Sequence, residues 1–129
     1  MVMTSSEGYS LDKLNKPVNW DNLAVMDKKH VPLLKAPSNV KSGEPFEVHL
    51  KVGGIDGVEH PNVLSHYIGW IELYAGERPI CRIEFAPAVS DGYNMKISVI
   101  LEESTILRAR AFCNLHGLWE GKGERVTVA

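Results

Sequence analysis

Apolar and polar residues alternate over short stretches of this chain from residue 32 onward. In PFEVHLKVGG every second residue from Phe46 to Val52 is apolar, polar residues such as His49 stand between them, and two glycines end the run. An alternation with a period of two is typical of a β-strand with one buried face. This stretch is therefore predicted to form a strand that packs one side against a core.

Several other stretches predict strands in the same way. They are rich in aromatic and β-branched residues and are separated by turn-forming residues: KHVPLLKAPSNVKSGEP, with a strand before its Ser-Gly turn, HYIGWIELYA, PICRIEFAPA, YNMKISVIL, STILRARAF and GERVTVA. Helical periodicity does not persist anywhere over a comparable length. Many short strands spaced by turns favour an all-β chain that folds as an antiparallel β-sandwich or barrel.

The first 25 residues differ from the rest because they are polar and only weakly periodic. Within them, LDKLNKPVNW predicts at most a helical turn that ends before Pro17. We interpret residues 1–25 as an arm that packs on the body or on a neighbouring subunit, and residues 26–129 as one domain. The N-terminus contains no apolar stretch typical of a secretory signal.

Composition narrows the class of protein. A length of 129 residues fits a single domain with a real core, and 44% hydrophobic and 23% charged residues are ordinary for a globular protein. The formal net charge of −2 predicts no bulk attraction to nucleic acid or anionic membranes. No apolar run approaches the roughly 18 residues that span a bilayer. Two cysteines, Cys81 and Cys113, do not suggest a disulfide framework, so a reducing cytoplasmic location is expected.

The histidines divide into two groups. His49 lies on the polar face of its predicted strand and is interpreted as a surface residue. The other four stand at the edges of strand patterns, where the loops of a rigid sandwich collect binding groups, and a cysteine joins them: His30, His60, His66, His116 and Cys113. A lone histidine before a proline is usually a turn residue, so the sequence leaves open turn residues or a shared metal site.

Shared binding requires the chain to bend twice. In a straight strand His60 and His66 would lie about 20 Å apart, at roughly 3.3 Å per residue. They converge only if PNVLS folds back, which Pro61 and its neighbouring asparagine allow. Cys113 and His116 likewise converge only if the strand ends at the cysteine and the next residues form a turn.

The donor set also discriminates between metals. Four imidazoles and one thiolate are one ligand too many for structural zinc, which is usually four-coordinate. A blue copper site would use two histidines, one cysteine and a weak axial methionine, but the last methionine is Met95. Five ligands with a single thiolate suit an iron with one open position, where a small molecule can react.

Three blocks of the sequence resemble a known family. KKHVP, HPNVLSHYIGWIELY and ARAFCNLHGLWEG together look like superoxide reductase of the one-iron type, also called neelaredoxin, and the resemblance covers nearly all of residues 25–129. It implies an immunoglobulin-like antiparallel β-sandwich of about seven strands. The two-iron relatives, desulfoferrodoxins, carry an additional domain that holds iron in four cysteine thiolates, and those cysteines are not found in this sequence.

The resemblance further implies the reaction and its site. His30, His60, His66 and His116 would be equatorial imidazoles around a mononuclear non-haem iron, with Cys113 as the axial thiolate; His116 would bind through its δ nitrogen and the others through ε. The implied activity is one-electron reduction of superoxide to hydrogen peroxide. It also implies an external electron donor such as rubredoxin, and a homo-oligomer that is often a tetramer.

Two lysines require separate interpretation. By resemblance, Lys29 would steer superoxide to the iron and order the water that supplies protons. The family usually has a glutamate, a ligand of the oxidised iron, where this chain has Lys28, which cannot ligate as a cation. Asp27 is one residue earlier and is a candidate substitute. Cys81 matches no ligand position and is interpreted as a buried strand cysteine.

Two other classes of protein remain open from the residues alone. The first is an electron carrier with a cupredoxin-like site, which would use only two of the histidines together with Cys113. The second is a β-sandwich binding module that holds no metal. Dependence of the centre on both His30 and His60 would separate the iron enzyme from the copper carrier.

Overall fold

Short β-strands make up most of the chain in the computed structural model, which describes residues 8–129. A single short helix within that range, α1 (Val25–His30), precedes the strands. The strands are β1 (Pro32–Lys35), β2 (Asn39–Val40), β3 (Phe46–Val52), β4 (Ile68–Ala75), β5 (Arg78–Glu84), β6 (Tyr93–Val99), β7 (Thr105–Cys113), β8 (Gly117–Glu120) and β9 (Glu124–Val128). Among the described residues, no helix has the length and apolar character needed to cross a membrane.

The strands form two sheets. The smaller sheet has the order β1-β3-β6, and both of its pairings are antiparallel. The larger sheet has the order β2-β9-β7-β4-β5, and β8 also pairs with β7. Strand β9 pairs with the first half of β7 and β8 with its second half, so the two short strands share one edge of β7. Only the two-residue pairing of β2 with β9 is parallel among the described strands.

The core lies between the two sheets. Alternate residues of the smaller sheet, such as Val48 and Leu50, are fully buried, and they pack in one cluster with buried residues of the larger sheet such as Ile71, Leu73 and Leu107. Burying an aliphatic side chain of this size stabilises the fold by about 1.5–3 kcal/mol. The apolar residues that alternate along the sequence are thus the ones that face the core, and the polar residues between them face solvent.

The prediction of an all-β sandwich is confirmed, and each of the seven predicted stretches contains a strand. The described residues include two further strands, β2 and β8, which are only two and four residues long. Strand β2 lies in the same predicted stretch as β1, and β8 lies in a stretch that reads as a loop. The helical turn before Pro17 is wrong. Asn15 instead pairs with Trp119 at the edge of β8, and the helix begins later, where the Asp27 carboxylate accepts the Ala24 N–H.

Candidate metal centre

The segments that carry the four candidate histidines and Cys113 meet at one end of the sandwich. The strand register explains this, because Pro32 at the start of β1 pairs with Val52 at the end of β3. Ile68 at the start of β4 pairs with Cys113 at the end of β7. The end of helix α1, the connection between β3 and β4, and the turn after β7 therefore lie together.

His30 is the last residue of helix α1 and is completely buried. Its Nδ1 lies 2.8 Å from the Met26 carbonyl oxygen one helical turn earlier. A carbonyl oxygen can only accept, so Nδ1 carries the proton and Nε2 presents its lone pair. The indole of Trp119 stacks on the imidazole, with 4.8 Å between ring centroids and 16° between ring planes. The ring is thus fixed both in orientation and in tautomer.

The connection between β3 and β4 folds back, as the sequence required. Val63 and His66 exchange backbone hydrogen bonds of 3.1 Å in each direction. His60 donates from Nδ1 to the Pro61 carbonyl oxygen at 2.6 Å, which leaves Nε2 as the free donor atom for a ligand. Gly53 (φ +89°) lets the chain pass close to this loop, since a Cβ there would lie only 2.8 Å from the His60 backbone nitrogen.

Cys113 ends β7, and residues 114–116 turn before Gly117 begins β8. Gly117 has φ +83°, a left-handed conformation that favours glycine at the end of such a turn. The Asn114 side chain ties the turn to the β3–β4 connection, because it accepts the Tyr67 N–H at 2.8 Å and donates to the Ser65 carbonyl at 3.0 Å. The two halves of the candidate centre are therefore hydrogen-bonded to each other.

The donor atoms converge on a common space. One ligand atom each from His30, His60, His66 and Cys113 lies within 4.8 Å of all the others. His60 Nε2 is 3.3 Å from Cys113 Sγ, and His116 Nδ1 is 3.2 Å from His30 Nε2 and 3.7 Å from Cys113 Sγ. Two metal–ligand bonds of about 2.0–2.3 Å span up to about 4.6 Å, so this spacing is close to what one ion needs.

One atom in particular fits a metal. His66 Nε2 is buried and has no hydrogen-bond partner among the described residues. A buried polar atom without a partner costs about 1–3 kcal/mol, and a cation coordinated by its lone pair removes that cost. The nitrogens that face the cluster, Nε2 of His30 and His60 and Nδ1 of His116, agree with the ε and δ coordination that the resemblance implies.

Burial keeps the imidazoles neutral. It is the largest effect on His30 and lowers its pKa from 6.5 to about 3; the Met26 hydrogen bond acts against it, and the neighbouring histidines add to it. Burial likewise lowers the pKa of His60 to about 4, against its bond to Pro61, and lowers that of His66. Neutral imidazoles are the form that binds metal.

The pKa of the Cys113 thiol shifts upward, whereas those of the histidines shift downward. Burial raises the pKa of Cys113, while the backbone N–H groups of Leu115 and His116 lower it. These two N–H groups belong to the turn that follows Cys113, and they favour the thiolate form. Because a coordinating cation deprotonates a thiol outright, a metal would convert this site from a thiol with a raised pKa to a thiolate.

Three consecutive residues of helix α1, Asp27, Lys28 and Lys29, differ in their contacts and in their roles. Lys29 is close enough that its charge, after burial and the neighbouring imidazoles, also lowers the pKa of His60 and His66. Lys28 forms an ion pair with Asp56, with 3.1 Å between Nζ and Oδ2. Asp27 is buried and caps the helix through Ala24, so the carboxylate suggested as a substitute ligand already has a structural partner.

Other residues of the region were placed less accurately by sequence. Trp119 packs against the site, whereas Phe112 lies 37% exposed on the outer face of the sheet and stacks on Trp70. Cys81 is in β5 and only partly buried. Sequence reasoning missed Tyr9, whose ring contacts His116 at 4.7 Å between centroids; no pattern around it distinguishes it from other polar-segment residues.

The fold and the cluster define a class: an all-β sandwich with a buried histidine–cysteine centre of the metal-binding type at one end. The model of the desulfoferrodoxin family matches residues 22–122. The chain is 35% identical over 104 residues to the superoxide reductase of Pyrococcus horikoshii, covering 74% of this chain and 85% of that protein. It is 33% identical over 112 residues to that of Pyrococcus furiosus, covering 74% and 86%.

Solved structures agree with the sequence relatives. The superoxide reductase (neelaredoxin) of Ignicoccus hospitalis superimposes with a TM-score of 0.76 at 31% identity, and the alignment covers 90% of this chain and 95% of that one. The chain belongs to the desulfoferrodoxin family, and its structural neighbours include neelaredoxins.

Proposed function

We propose that this chain is a superoxide reductase. It reduces superoxide by one electron to hydrogen peroxide at a mononuclear non-haem iron, with electrons from an external donor. The observation that carries the proposal is the convergence of five donor atoms from three separate segments, with one imidazole nitrogen buried and unpartnered, in a chain of this family. The proposed ligands are His30, His60, His66, Cys113 and His116.

The bound iron would supply the single electron that superoxide accepts. The chain would contribute an unchanging ligand set, since His30 and His60 are already held in the metal-binding tautomer by carbonyl groups. Neutral imidazoles and one thiolate leave a ferrous centre with a net positive charge, which attracts a small anion. The Cys113 thiolate, hydrogen-bonded by two backbone N–H groups, would tune the electron density at the centre.

Lys29 would have two roles in this proposal. Its positive charge lies close enough to His60 and His66 to lower their pKa values, so the same charge acts on an anion that approaches them. Its ammonium group holds a proton at Nζ and can order the water that delivers protons to the product. One superoxide, one electron and two protons give one hydrogen peroxide, so no oxygen forms.

The sixth position of the oxidised centre would differ from the usual family pattern. Lys28 has no carboxylate and is paired with Asp56, and the Asp27 carboxylate caps the helix, so neither residue supplies a carboxylate ligand in this arrangement. We therefore expect water or hydroxide there, or a five-coordinate oxidised iron. The reaction with superoxide would need only the five proposed ligands, so it would not depend on a carboxylate at that position.

The proposal extends to the rest of the chain. We interpret residues 1–25 as an arm and residues 26–129 as the iron-binding domain; support comes from Asn15, which lies along the edge of β8. A small electron-transfer protein such as rubredoxin is proposed as the donor, and a homo-oligomer such as a tetramer as the assembly. Both follow from the family resemblance. Size-exclusion chromatography with light scattering measures the molar mass of the assembly and so tests the proposed oligomeric state.

The test is the product stoichiometry of the iron-loaded protein. With reductant in excess, a superoxide reductase yields one hydrogen peroxide per superoxide, whereas a dismutase yields one per two superoxide together with oxygen. Metal analysis and a thiolate-to-iron absorption band in the red, lost in Cys113→Ser and kept in His49→Ala, identify the centre. Oxygen evolution, or a colourless protein without iron after growth in iron-rich medium, would contradict the proposal.

A further inference from the structure

The chain before helix α1 runs along the candidate centre. We refer to residues 8–20 as the N-terminal segment. Asn15 lies at its middle and pairs in parallel with Trp119, donating its N–H to the Leu118 carbonyl at 2.8 Å and accepting the Glu120 N–H at 3.0 Å. The segment thus occupies the free edge of β8, the strand that follows the His116 turn.

The side chain of Asn15 closes the segment into a compact loop. Its amide accepts the Ser10 N–H at 2.7 Å and donates to the Ser10 carbonyl at 2.8 Å and to the Leu118 carbonyl at 2.9 Å. The residue is only 8% exposed, so these bonds are largely shielded from water. Lys16 adds an ion pair of 3.0 Å to the buried Glu120 carboxylate. The loop is therefore attached to the sheet at successive residues.

This attachment brings the loop directly over the turn that carries His116. A Cβ placed on Gly117 would lie 3.1 Å from the Ser10 carbonyl oxygen, so segment and turn are in contact. Tyr9 precedes Ser10, and its ring meets the His116 imidazole edge to face, with 4.7 Å between centroids and 78° between planes. On other sides the imidazole borders His30 and His66, at 5.0 and 4.8 Å.

His116 differs from the other candidate ligands in its backbone. His30 lies on a helix, whereas His116 lies in a turn whose preceding residues, Asn114 and Leu115, are exposed. Trp119 Nε1 donates to the His116 carbonyl at 3.0 Å, which fixes the backbone but not the ring. A side chain in such a turn can choose among staggered rotamers, and Nδ1 faces the cluster only in some of them.

We propose that Tyr9 is a positioning residue for His116: its ring packs against the imidazole and holds Nδ1 toward Cys113 Sγ and His30 Nε2. The inference rests on the proposed function in treating His116 as a ligand. The contact uses the face and edge of the aromatic ring, so the phenol hydroxyl is not required. Tyr9 then supports the metal centre from the N-terminal segment, although it is not a ligand.

Binding of Co²⁺ tests this without any measurement of turnover. Affinity is measured by competition with a chelator, and the visible absorption bands report the number of ligands. An aromatic contact of this kind should change affinity by about 2- to 10-fold, so Tyr9→Ala should weaken Co²⁺ binding by that factor and alter the bands. Tyr9→Phe should restore both. Asn15→Ala, which releases the loop, should resemble Tyr9→Ala, whereas Val18→Ala, at a fully exposed position of the same segment, should bind normally.

The outcomes separate this inference from the proposed function. If His116→Ala leaves Co²⁺ affinity and spectrum unchanged, His116 is not a ligand and the ligand assignment itself fails. If His116→Ala weakens binding but Tyr9→Ala does not, only the positioning role is overturned. Equal losses in Tyr9→Phe and Tyr9→Ala would also overturn it, because ring packing would not be the cause. Should Tyr9→Ala fail to fold, Tyr9→Leu replaces it and should give a smaller loss of the same sign.

Discussion

Metal binding to this protein should release few protons at mildly acidic pH. An unperturbed imidazole with a pKa of 6.5 is about three-quarters protonated at pH 6, so four such ligands and one thiol would release about four protons. Burial has already removed about 1.5 of these, since the pKa of His30 is about 3 and that of His60 about 4. Both rings are essentially neutral at pH 6.

The remaining release comes from the thiol and the other two imidazoles. The pKa of Cys113 is raised above its usual value of 9.0, so its proton is fully present at pH 6 and leaves when the metal binds. Two imidazoles of ordinary pKa would contribute about 1.5 protons, and the lowered pKa of His66 reduces that number. The expected release is therefore between one and about 2.5 protons per ion.

Isothermal titration calorimetry with Co²⁺ measures this number. The apparent binding enthalpy at pH 6 is determined in several buffers with different ionisation enthalpies, and its slope gives the protons released. Cys113→Ala should lower the release by about one proton, while His49→Gln, outside the cluster, should leave it unchanged. A release near four in the unmodified protein would refute the argument, because it would mean that the histidines are solvated and not preorganised before the metal binds.

Other predictions address stability and reaction rate. The metal-free protein should lose about 3–4 kcal/mol of stability between pH 7 and pH 5, as measured by urea denaturation. The reason is that the unfolded state binds protons at His30 and His60 below pH 6.5, whereas the folded state binds them only near pH 3 and pH 4. A stability that does not change with pH would contradict the burial of these two histidines. Lys29→Ala should slow the bimolecular reaction with superoxide about 3- to 10-fold and flatten its dependence on ionic strength in pulse radiolysis, and an unchanged rate and salt slope would exclude steering. Lys28→Glu should introduce a pH-dependent shift of the absorption band of the oxidised protein; no shift would count against the alignment of that position. Glu120→Gln should lower the free energy of unfolding by about 2 kcal/mol in denaturant titrations, because the buried carboxylate is paired with Arg108 and Arg110. An unchanged free energy of unfolding would show that these ion pairs contribute no more than surface contacts.

The amino-acid sequence by itself determined the fold class and the candidate donors. Alternation of core and solvent residues, as in β3, is a local property that survives without tertiary information, because each strand must bury one face. The candidate donors were also visible, because His60 and Cys113 stand at the edges of strand patterns, where the loops of a sandwich collect binding groups. Short pairings such as β2 and β8 were not visible, because two to four residues carry too little periodicity.

Only the tertiary structure decided which of these side chains meet and in which chemical state. The register that pairs Ile68 with Cys113 brings the β3–β4 connection next to the turn after β7. No local sequence pattern specifies which strand ends are neighbours. The tautomers, the lowered pKa of His30 and the contact of Tyr9 with His116 depend on burial and on neighbours far apart in the chain. The physical reason is that desolvation and ring packing are set by atoms contributed by other segments, which a linear sequence does not place.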